Sequence, residues 1–345
     1  MKERFIATMI GTAIGDTLGM PVEGWKREQI KKYVGEITEP IDPFFVRDEN
    51  EKILKKDEFG RLKYYSKDLK KGQYTDDTIL ALALAEALIE KGMDLDHVAQ
   101  KQLHEYITRR MPDGKVKGGF GGTTKKAFDN LEHGISPLES GVMSAPGNAP
   151  AMKISPLGLY INATKPMNGL NFARQVGEIT HQDPRSVVSG VIQAYAIDLL
   201  LQGIGKDEFL SAIEAMSFAN ENQNLKGTML QYQGSFSERM TQVKLNQNIS
   251  DDAAFDLFGA SGTSYSSHPF ALFMFQKYWN DPIDGMLKLI NFGGDCDTTG
   301  AMYGALAGAK NGMIFPKSWV NIIDNKDYII QVGEKLYKLG DTHEN

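Results

Sequence analysis

Two short segments concentrate the carboxylates and hydroxyls that bind hard metal ions. Residues 293–300 have the sequence Gly-Gly-Asp-Cys-Asp-Thr-Thr-Gly and follow a largely apolar run. Residues 74–78 have the sequence Tyr-Thr-Asp-Asp-Thr and precede a run of apolar and small residues. Carboxylate, hydroxyl and water oxygens are the ligands that Mg²⁺ and Mn²⁺ prefer. One such turn is more typical of a plain helix cap, because Asp and Thr are common N-cap residues. The presence of two such acidic, hydroxyl-bearing turns in one chain favours a metal site over two plain caps.

The charges in these two turns restrict the kind of site. Asp76, Asp77, Asp295 and Asp297 would repel one another if the turns converged, since two carboxylates 4 Å apart interact by about 4 kcal/mol at an effective dielectric constant of about 20. Divalent cations between the carboxylates turn this repulsion into a net attraction. The spacing excludes an EF-hand, and a single cysteine, Cys296, without a histidine cluster disfavours zinc. Mg²⁺ or Mn²⁺ remains, in an arrangement that allows a pair of ions bridged by a carboxylate.

Two glycine-rich helices are expected to position these turns. Small residues recur at every fourth position, as Ala7, Gly11, Gly15 and Gly19 and again as Gly300, Gly304, Gly308 and Gly312. Glycine costs a helix interior about 1 kcal/mol relative to alanine, and close approach of another backbone is the usual reason for it. We therefore expect both helices to lie in the core and to pack closely against another backbone. One option is that they pack against each other. A membrane interpretation of the pattern fails because the runs contain Asp16 and Lys310.

Helical periodicity dominates most of the remaining chain and predicts a single all-α domain over residues 1–345. The predicted helices cover residues 5–19, 26–33, 79–91, 96–110, 125–131, 187–201, 209–218, 270–279, 283–290, 301–310, 319–330 and 332–339. Residues 118–124 and 144–153 are predicted to be glycine-bearing loops. Residues 34–72 form a polar, irregular segment, which we interpret as a surface insertion. Its residues 58–61 suit a hairpin tip or a flap beside the first acidic turn.

Bulk composition excludes several classes of protein. The 345 residues carry a formal net charge of −6 and have no Lys/Arg stripe, so nucleic acid is not expected as the main partner. One cysteine cannot form a disulfide framework within the chain, which fits a reducing cytosol. The N-terminus only weakly resembles a signal peptide and lacks a convincing cleavage site. No stretch is judged long enough to span a membrane. These features predict a soluble, cytoplasmic, monomeric protein without a membrane partner.

Five segments, in this order, carry a resemblance to a known family. They are residues 11–24, 74–78, 147–157, 180–184 and 293–312, and together they span nearly the whole chain. The chain resembles the ADP-ribosylglycohydrolase family, the group that includes the dinitrogenase-reductase-activating glycohydrolase. The resemblance implies an all-α fold and two Mg²⁺ or Mn²⁺ ions. It also implies removal of ADP-ribose from a modified side chain, with arginine slightly ahead of serine as the acceptor.

Site residues follow from the same resemblance, position by position. The implied metal ligands are Thr75, Asp76, Asp77, Asp295, Asp297 and Thr298. Glu23 matches an acidic residue that gates or assists catalysis in some members, and Glu23, Asp76 and Asp295 are the candidate proton acceptors. Gly121, Gly147, Asn148 and His181 match positions that line the diphosphate and ribose. Pro146 stands where some relatives have an aromatic residue, so the adenine contact is left to Phe120 or Tyr265.

The sequence also allows other interpretations of these residues and of the function. His181 also suits a helix N-cap neighbour without a ligand role, and Cys296 suits a small buried filler. Asp16 is expected to be a buried hydrogen-bonding partner rather than a ligand. The protein could instead be a binuclear-metal phosphoesterase or another hydrolase of an ADP-ribose-like nucleotide, or a non-catalytic ADP-ribose binder. The polar segment 34–72 would contact the modified protein. Product analysis separates the chemistries, because a glycosidase releases intact ADP-ribose.

Overall fold

Almost every described residue with regular backbone geometry is helical. The computed structural model describes residues 1–43, 56–57, 60–61, 69–222 and 234–342. Its α-helices are α1 (Lys2–Gly19), α2 (Arg27–Tyr33), α3 (Asp76–Lys91), α4 (Leu95–Thr108), α5 (Gly122–Glu132), α6 (Pro137–Ser140), α7 (Ala149–Lys153), α8 (Ser155–Thr164), α9 (Gly169–Glu178), α10 (Pro184–Gln202), α11 (Lys206–Asn220), α12 (Phe236–Leu245), α13 (Asp251–Phe258), α14 (Ser264–Lys277), α15 (Pro282–Asn291), α16 (Cys296–Asn311), α17 (Lys317–Ile322) and α18 (Lys326–Lys338). Short 3₁₀ turns cover Met20–Val22 and Gly340–Thr342. The predicted all-α class is confirmed.

The centre of the fold is the direct packing of α1 against α16. A Cβ atom added to Gly11 or Gly15 would lie less than 3.0 Å from the carbonyl oxygen of Gly304 or Gly300, respectively. Real Cβ atoms essentially never show such a distance, so only glycine permits this approach. The predicted burial and close packing of the two helices are confirmed. Gly312 differs, because it ends α16 with a φ of +77° and serves the turn rather than the packing.

Helix α1 corrects one expectation about membranes. The segment Lys2–Val22 is long and apolar enough to cross a membrane, with a mean hydropathy of 1.3. The sequence prediction that no stretch reaches this length was therefore wrong. The segment is apolar because it lies at the centre of the fold, where 94% of its most apolar 18-residue stretch is buried.

Two other boundaries differ from the sequence prediction. The break near the C-terminus lies at residues 323–325, between α17 and α18, and not at residue 331. Asn325 adopts a left-handed φ of +54° there, which interrupts the helix. The predicted loop 144–153 is helical over α7. In the polar segment, strands β1 (Lys56–Asp57) and β2 (Gly60–Arg61) pair antiparallel, as a hairpin requires. Most of the segment, including residues 58–59, lies outside the described residues.

Candidate active site

The two acidic turns converge on one cavity of about 500 Å³. The starts of α3, α5 and α16 contribute to its wall. Its lining combines carboxylates, hydroxyls and glycines: Glu23, Gly24, Asp76, Asp77, Gly119, Gly121, Gly122, Thr123, Thr124, Ala145, Gly147, Asn148, Ala149, Met152, His181, Ser261, Gly262, Gly294, Asp295, Asp297 and Thr298. The residues predicted to bind metal, accept protons or contact the diphosphate and ribose are all in this lining except Thr75, which lies directly behind it. The cavity is large enough for a nucleotide-sized ligand.

Backbone hydrogen bonds place Glu23 beside the second acidic turn. The amide of Gly24 donates to the carbonyl of Gly294 at 2.6 Å, and the Gly294 amide donates to the Trp25 carbonyl at 2.8 Å. Gly294 has a φ of +73°, in the left-handed region that favours glycine. As a result, carboxylate oxygens of Glu23, Asp295 and Asp297 lie within 4.8 Å of one another. The structure thus groups Glu23 with the predicted metal ligands.

Asp16 fixes the first acidic turn from behind. Its carboxylate accepts hydrogen bonds from the Thr75 amide at 3.0 Å and the Thr75 hydroxyl at 2.9 Å. It also accepts from the Thr78 amide at 3.1 Å and the Thr78 hydroxyl at 2.7 Å. Asp16 is fully buried on α1. The expectation that it is a hydrogen-bonding partner is confirmed, and its bonds tie the central helix to the start of α3.

The side chains at the helix starts do not act as ordinary caps. Thr75 is the N-cap residue of α3 and Asp295 that of α16, yet neither side chain accepts a hydrogen bond from its own helix. The Thr75 hydroxyl bonds to Asp16 and Asp77, and the Asp295 carboxylate accepts from Asn148 Nδ2 at 2.6 Å. By contrast, Asp94 caps α4 in the ordinary way. The plain-cap interpretation of the two acidic turns is therefore wrong.

The carboxylates of this site raise one another's pKa values. Burial, followed by the charges of neighbouring carboxylates, raises the pKa of Asp76, Asp77 and Asp297 well above the usual value of 3.8. Burial raises the pKa of Asp16 to about 6, against the opposing effect of its four hydrogen bonds. Such repulsion is costly unless positive charge balances it.

The donor set of the cavity fits a divalent cation. One carboxylate oxygen, Asp77 Oδ1, is buried and has no hydrogen-bond partner among the described residues. An unpaired buried carboxylate oxygen is unfavourable in a folded protein unless it has a ligand. Asp77 lines the same cavity as Glu23, Asp295 and Asp297, whose clustered carboxylate oxygens suit hard ions.

Glycine and histidine form another part of the wall. A Cβ atom on Gly147 would lie 2.5 Å from His181 Nε2, so this residue must be glycine for the ring to occupy its place. His181 is buried, and burial followed by the charge of Lys153 lowers its pKa to about 3. Gly121 is the N-cap residue of α5, and a Cβ atom there would meet open space. The free backbone amides at such a helix start suit anionic oxygens.

The two aromatic residues expected at the adenine do not line the cavity. Phe120 is buried in an aromatic cluster with Tyr106 and Phe128, at ring distances of 5.7 and 6.3 Å. Tyr265 lies under the guanidinium groups of Arg185 and Arg239, each 5.6 Å from its ring centre. Neither ring belongs to the cavity wall, and the adenine contact stays a prediction.

Several residues of the cavity wall could not be identified from the sequence. Ser261 and Gly262 line the cavity, and the Gly262 carbonyl accepts from the Asn148 amide at 3.3 Å. Met152 also lines it, from α7. A Ser-Gly pair between two helices has no distinctive spacing. Only the folded position beside Asp295 reveals it.

We expect Asp16→Asn to destabilise the protein by about 2 kcal/mol. The amide group replaces one acceptor oxygen with a donor. Because the Thr75 amide lies 3.0 Å from both oxygens, at least one of the four donors on Thr75 and Thr78 loses its partner, at about 1–3 kcal/mol. Relief of repulsion with Asp76 and Asp77 offsets part of this cost. Urea unfolding measures the change, with Asp284→Asn on the exposed face of α15 as the control. A midpoint equal to that of the control would contradict the role assigned to Asp16.

The raised pKa values predict an unusual pH dependence for the metal-free protein. Because Asp76, Asp77 and Asp297 have higher pKa values folded than unfolded, the folded state binds more protons. Their stabilisation is complete below the unfolded value of about 4 and is lost as the pH rises through the folded values. The urea midpoint measured in EDTA should therefore decrease as the pH rises above about 4, and Mg²⁺ should remove or reverse this decrease. Equal pH trends with and without Mg²⁺ would contradict a cation among these carboxylates.

Comparison with known proteins identifies the family. The sequence model of the ADP-ribosylglycohydrolase family matches residues 1–345. An uncharacterized protein of Archaeoglobus fulgidus is 27% identical over 349 aligned residues, which cover 98% of this chain and 97% of that protein. ADP-ribosylhydrolase ARH3 of Mus musculus is 26% identical, with 77% of each chain covered. A solved structure described as an ADP-ribosylglycohydrolase-related protein complex matches with a TM-score of 0.72 over 98% of both chains, at 24% identity, which supports the fold alone. Because the family match spans the whole chain, this protein belongs to the ADP-ribosylglycohydrolase family.

Proposed function

We propose that this protein is a divalent-metal-dependent hydrolase that removes ADP-ribose from a modified protein side chain and releases free ADP-ribose. The observation that carries the proposal is a single cavity that holds two acidic turns and an unpaired buried oxygen, Asp77 Oδ1. The volume of about 500 Å³ suits a nucleotide-sized ligand. Family membership supplies the substrate class.

Two ions, Mg²⁺ or Mn²⁺, would be held by oxygens from both turns and from the segment before α2. The proposed ligands are Glu23, Thr75, Asp76, Asp77, Asp295, Asp297 and Thr298. When bound, such ions orient ribose hydroxyls and make water a stronger acid. For Thr75, which lies behind the cavity wall, ligation requires its hydroxyl to exchange a bond to Asp16 or Asp77.

The chain's own groups perform the remaining steps. Cleavage at the anomeric carbon develops positive charge on the ribose, and the surrounding carboxylates stabilise that charge. A carboxylate of Glu23, Asp76 or Asp295 accepts the proton of the attacking water, whose oxygen bonds to the anomeric carbon as the bond to the modified side chain breaks. The leaving atom of that side chain takes up the proton, so free ADP-ribose and the unmodified side chain result. The backbone amides at the start of α5, beside Gly121, bind diphosphate oxygens. His181 and Gly147 shape the wall beside the ribose.

The acceptor side chain is proposed to be arginine ahead of serine. We base that order on the resemblance of residues 21–24 and 293–300 to the nitrogenase-regulating branch of the family. The polar segment 34–72 precedes the first acidic turn in the chain and would contact the modified protein. Its contacts would then set the choice of acceptor.

One incubation tests the function. Purified protein is given arginine-, serine- and nucleic-acid-linked ADP-ribose with Mg²⁺, with EDTA, and with EDTA followed by excess Mg²⁺. We expect intact ADP-ribose from an amino-acid linkage, its loss in EDTA and its recovery with Mg²⁺. Release of AMP or phosphate instead would identify a phosphoesterase. Binding of ADP-ribose without cleavage of any linkage would identify a binder.

A further inference from the structure

A fully buried lysine lies directly behind the cavity wall. Lys153, the last residue of α7, has no exposed surface, and its Nζ donates to Gln102 Oε1 at 3.1 Å and to Thr180 Oγ1 at 3.2 Å. Burial lowers the pKa of this lysine to about 7. A buried ammonium group is costly to keep. None of the roles in the proposed reaction accounts for it.

Thr180 lies between Lys153 and His181 and contacts both through its hydroxyl group. The Thr180 oxygen lies 3.1 Å from His181 Nδ1 and 3.4 Å from the Gly177 carbonyl oxygen. That carbonyl already accepts from the Thr180 amide at 3.2 Å and the His181 amide at 3.1 Å. A carbonyl oxygen has two lone pairs, so both are in use. Of the two acceptors within reach of the Thr180 hydroxyl hydrogen, His181 Nδ1 is the nearer, and the Gly177 carbonyl is the more crowded, which favours a hydrogen bond to Nδ1.

A hydroxyl that donates to Nδ1 determines which ring nitrogen carries the hydrogen. A neutral imidazole has one donor and one acceptor nitrogen. If Nδ1 accepts, Nε2 must donate. Nε2 lies beside Gly147 in the cavity wall and has no hydrogen-bond partner among the described residues. Burial and the Lys153 charge keep the ring neutral by lowering its pKa.

We propose that Lys153 and Thr180 are positioning residues that hold His181 as the Nε2–H tautomer, which presents a fixed, uncharged donor to a ligand oxygen in the cavity. The identity of that oxygen, on the ribose or diphosphate of ADP-ribose, rests on the proposed function. The tautomer itself does not. Lys153 matters because its donated hydrogen occupies a lone pair of Thr180. With that hydrogen in place, the hydroxyl hydrogen of Thr180 must point away from Lys153. Without Lys153 the hydroxyl can rotate, its oxygen can accept from Nδ1–H, and the other tautomer becomes available.

Nitrogen-15 NMR of histidine-labelled protein with Mg²⁺ tests the tautomer directly. The chain has six histidines, and loss of a signal in His181→Phe assigns the relevant ring. In the wild type we expect the hydrogen on Nε2 over the whole range from about pH 5 to pH 8, roughly one and a half units either side of an ordinary histidine pKa. Nδ1–H in the wild type would overturn the proposal whatever the activity.

Matched variants separate the two positioning residues. Lys153→Met keeps the length of the side chain without a donor, and we expect both tautomers of His181 to appear. Thr180→Ser should preserve the wild-type signals, whereas Thr180→Val should move the Nδ1 signal to that of a bare ring nitrogen. Thr8→Val, a buried threonine on α1 that donates to the Arg4 carbonyl, is the control. Unchanged ring signals in Lys153→Met would remove Lys153 from the proposal.

Titration with ADP-ribose measures whether the His181 donor contributes to ligand binding. Lys153→Met should weaken ADP-ribose binding by about three- to tenfold, as expected for one neutral hydrogen bond, while Thr180→Ser should bind as the wild type does. Wild-type affinity in Lys153→Met with a mixed tautomer would show that the donor does not contact the ligand. If the wild type does not bind ADP-ribose, the proposed function fails, and the NMR result still decides the tautomer.

Discussion

Asp295→Ala is expected to lose divalent-metal binding and to reduce hydrolysis by at least about 10³-fold, while the protein still folds. Asp295 shares a corner with Glu23 and Asp297, where the carboxylate oxygens lie within 4.8 Å of one another. Alanine removes a third of that negative charge and one of the two acceptors of Asn148 Nδ2, which keeps its hydrogen bond to Ser267 Oγ. Loss of preorganised charge at a reacting centre costs about 10²–10³-fold for a single hydrogen-bond donor, and a lost ligand should cost more.

The fold should survive because the Asp295 carboxylate opposes folding of the metal-free protein. Its charge raises the pKa of Asp76, Asp77 and Asp297. The Asp295 amide, which donates to the Ala260 carbonyl at 2.7 Å, is unaffected by the substitution. In EDTA the variant should therefore be at least as stable as the wild type.

Calorimetric titration with Mg²⁺ and with Mn²⁺, together with ADP-ribose release, measures the effect. Asp76→Ala should behave like Asp295→Ala, since both acidic turns are needed. Asp284→Ala is the matched control, because it removes an exposed carboxylate that pairs with Lys288 on the surface of α15. Full activity of the wild type after exhaustive chelation would refute the metal site. Undiminished metal binding by Asp295→Ala would remove Asp295 from the ligands.

Sequence reasoning succeeded where one residue type has one physical explanation. Glycine at every fourth position of a helix is unfavourable without close packing, and the spacing of Gly11 and Gly15 therefore predicts the α1–α16 contact. Asp16 was correctly expected to be a hydrogen-bonding partner, because it interrupts an apolar helix bound for the core. In both cases the residue type and its place in one helix were sufficient to predict the contact.

It failed where a contact depends on how distant segments meet. The grouping of Glu23 with Asp295 arises from hydrogen bonds between Gly24 and Gly294, which no spacing along the chain reveals. Phe120 follows the glycines of a cavity loop, yet its ring turns into the core. An aromatic residue next to a binding loop has no sequence property that fixes the direction of its side chain.

Gly304→Leu is expected to destabilise the protein by more than about 3 kcal/mol, the upper end of the usual range for an overpacked core. The obstacle is the backbone of Gly11, which a Cβ atom at residue 304 would approach to less than 3.0 Å. A neighbouring side chain could rotate away, but a helix backbone cannot. The substitution must therefore separate α1 from α16 along their length.

Separation of these helices should also disturb the site, because both acidic turns depend on them. Asp16 on α1 fixes Thr75, and Asp297 lies in the first turn of α16. Gly304→Ala should consequently weaken both stability and Mg²⁺ affinity, although residue 304 touches no ligand. Gly177→Ala on α9 is the control, because a Cβ atom there would be an ordinary 3.5 Å from its nearest neighbour. That change should be neutral or stabilising by about 0.4–1 kcal/mol. Urea unfolding compares the two variants, and equal midpoints for Gly304→Ala and Gly177→Ala would contradict the backbone contact at the centre of this fold.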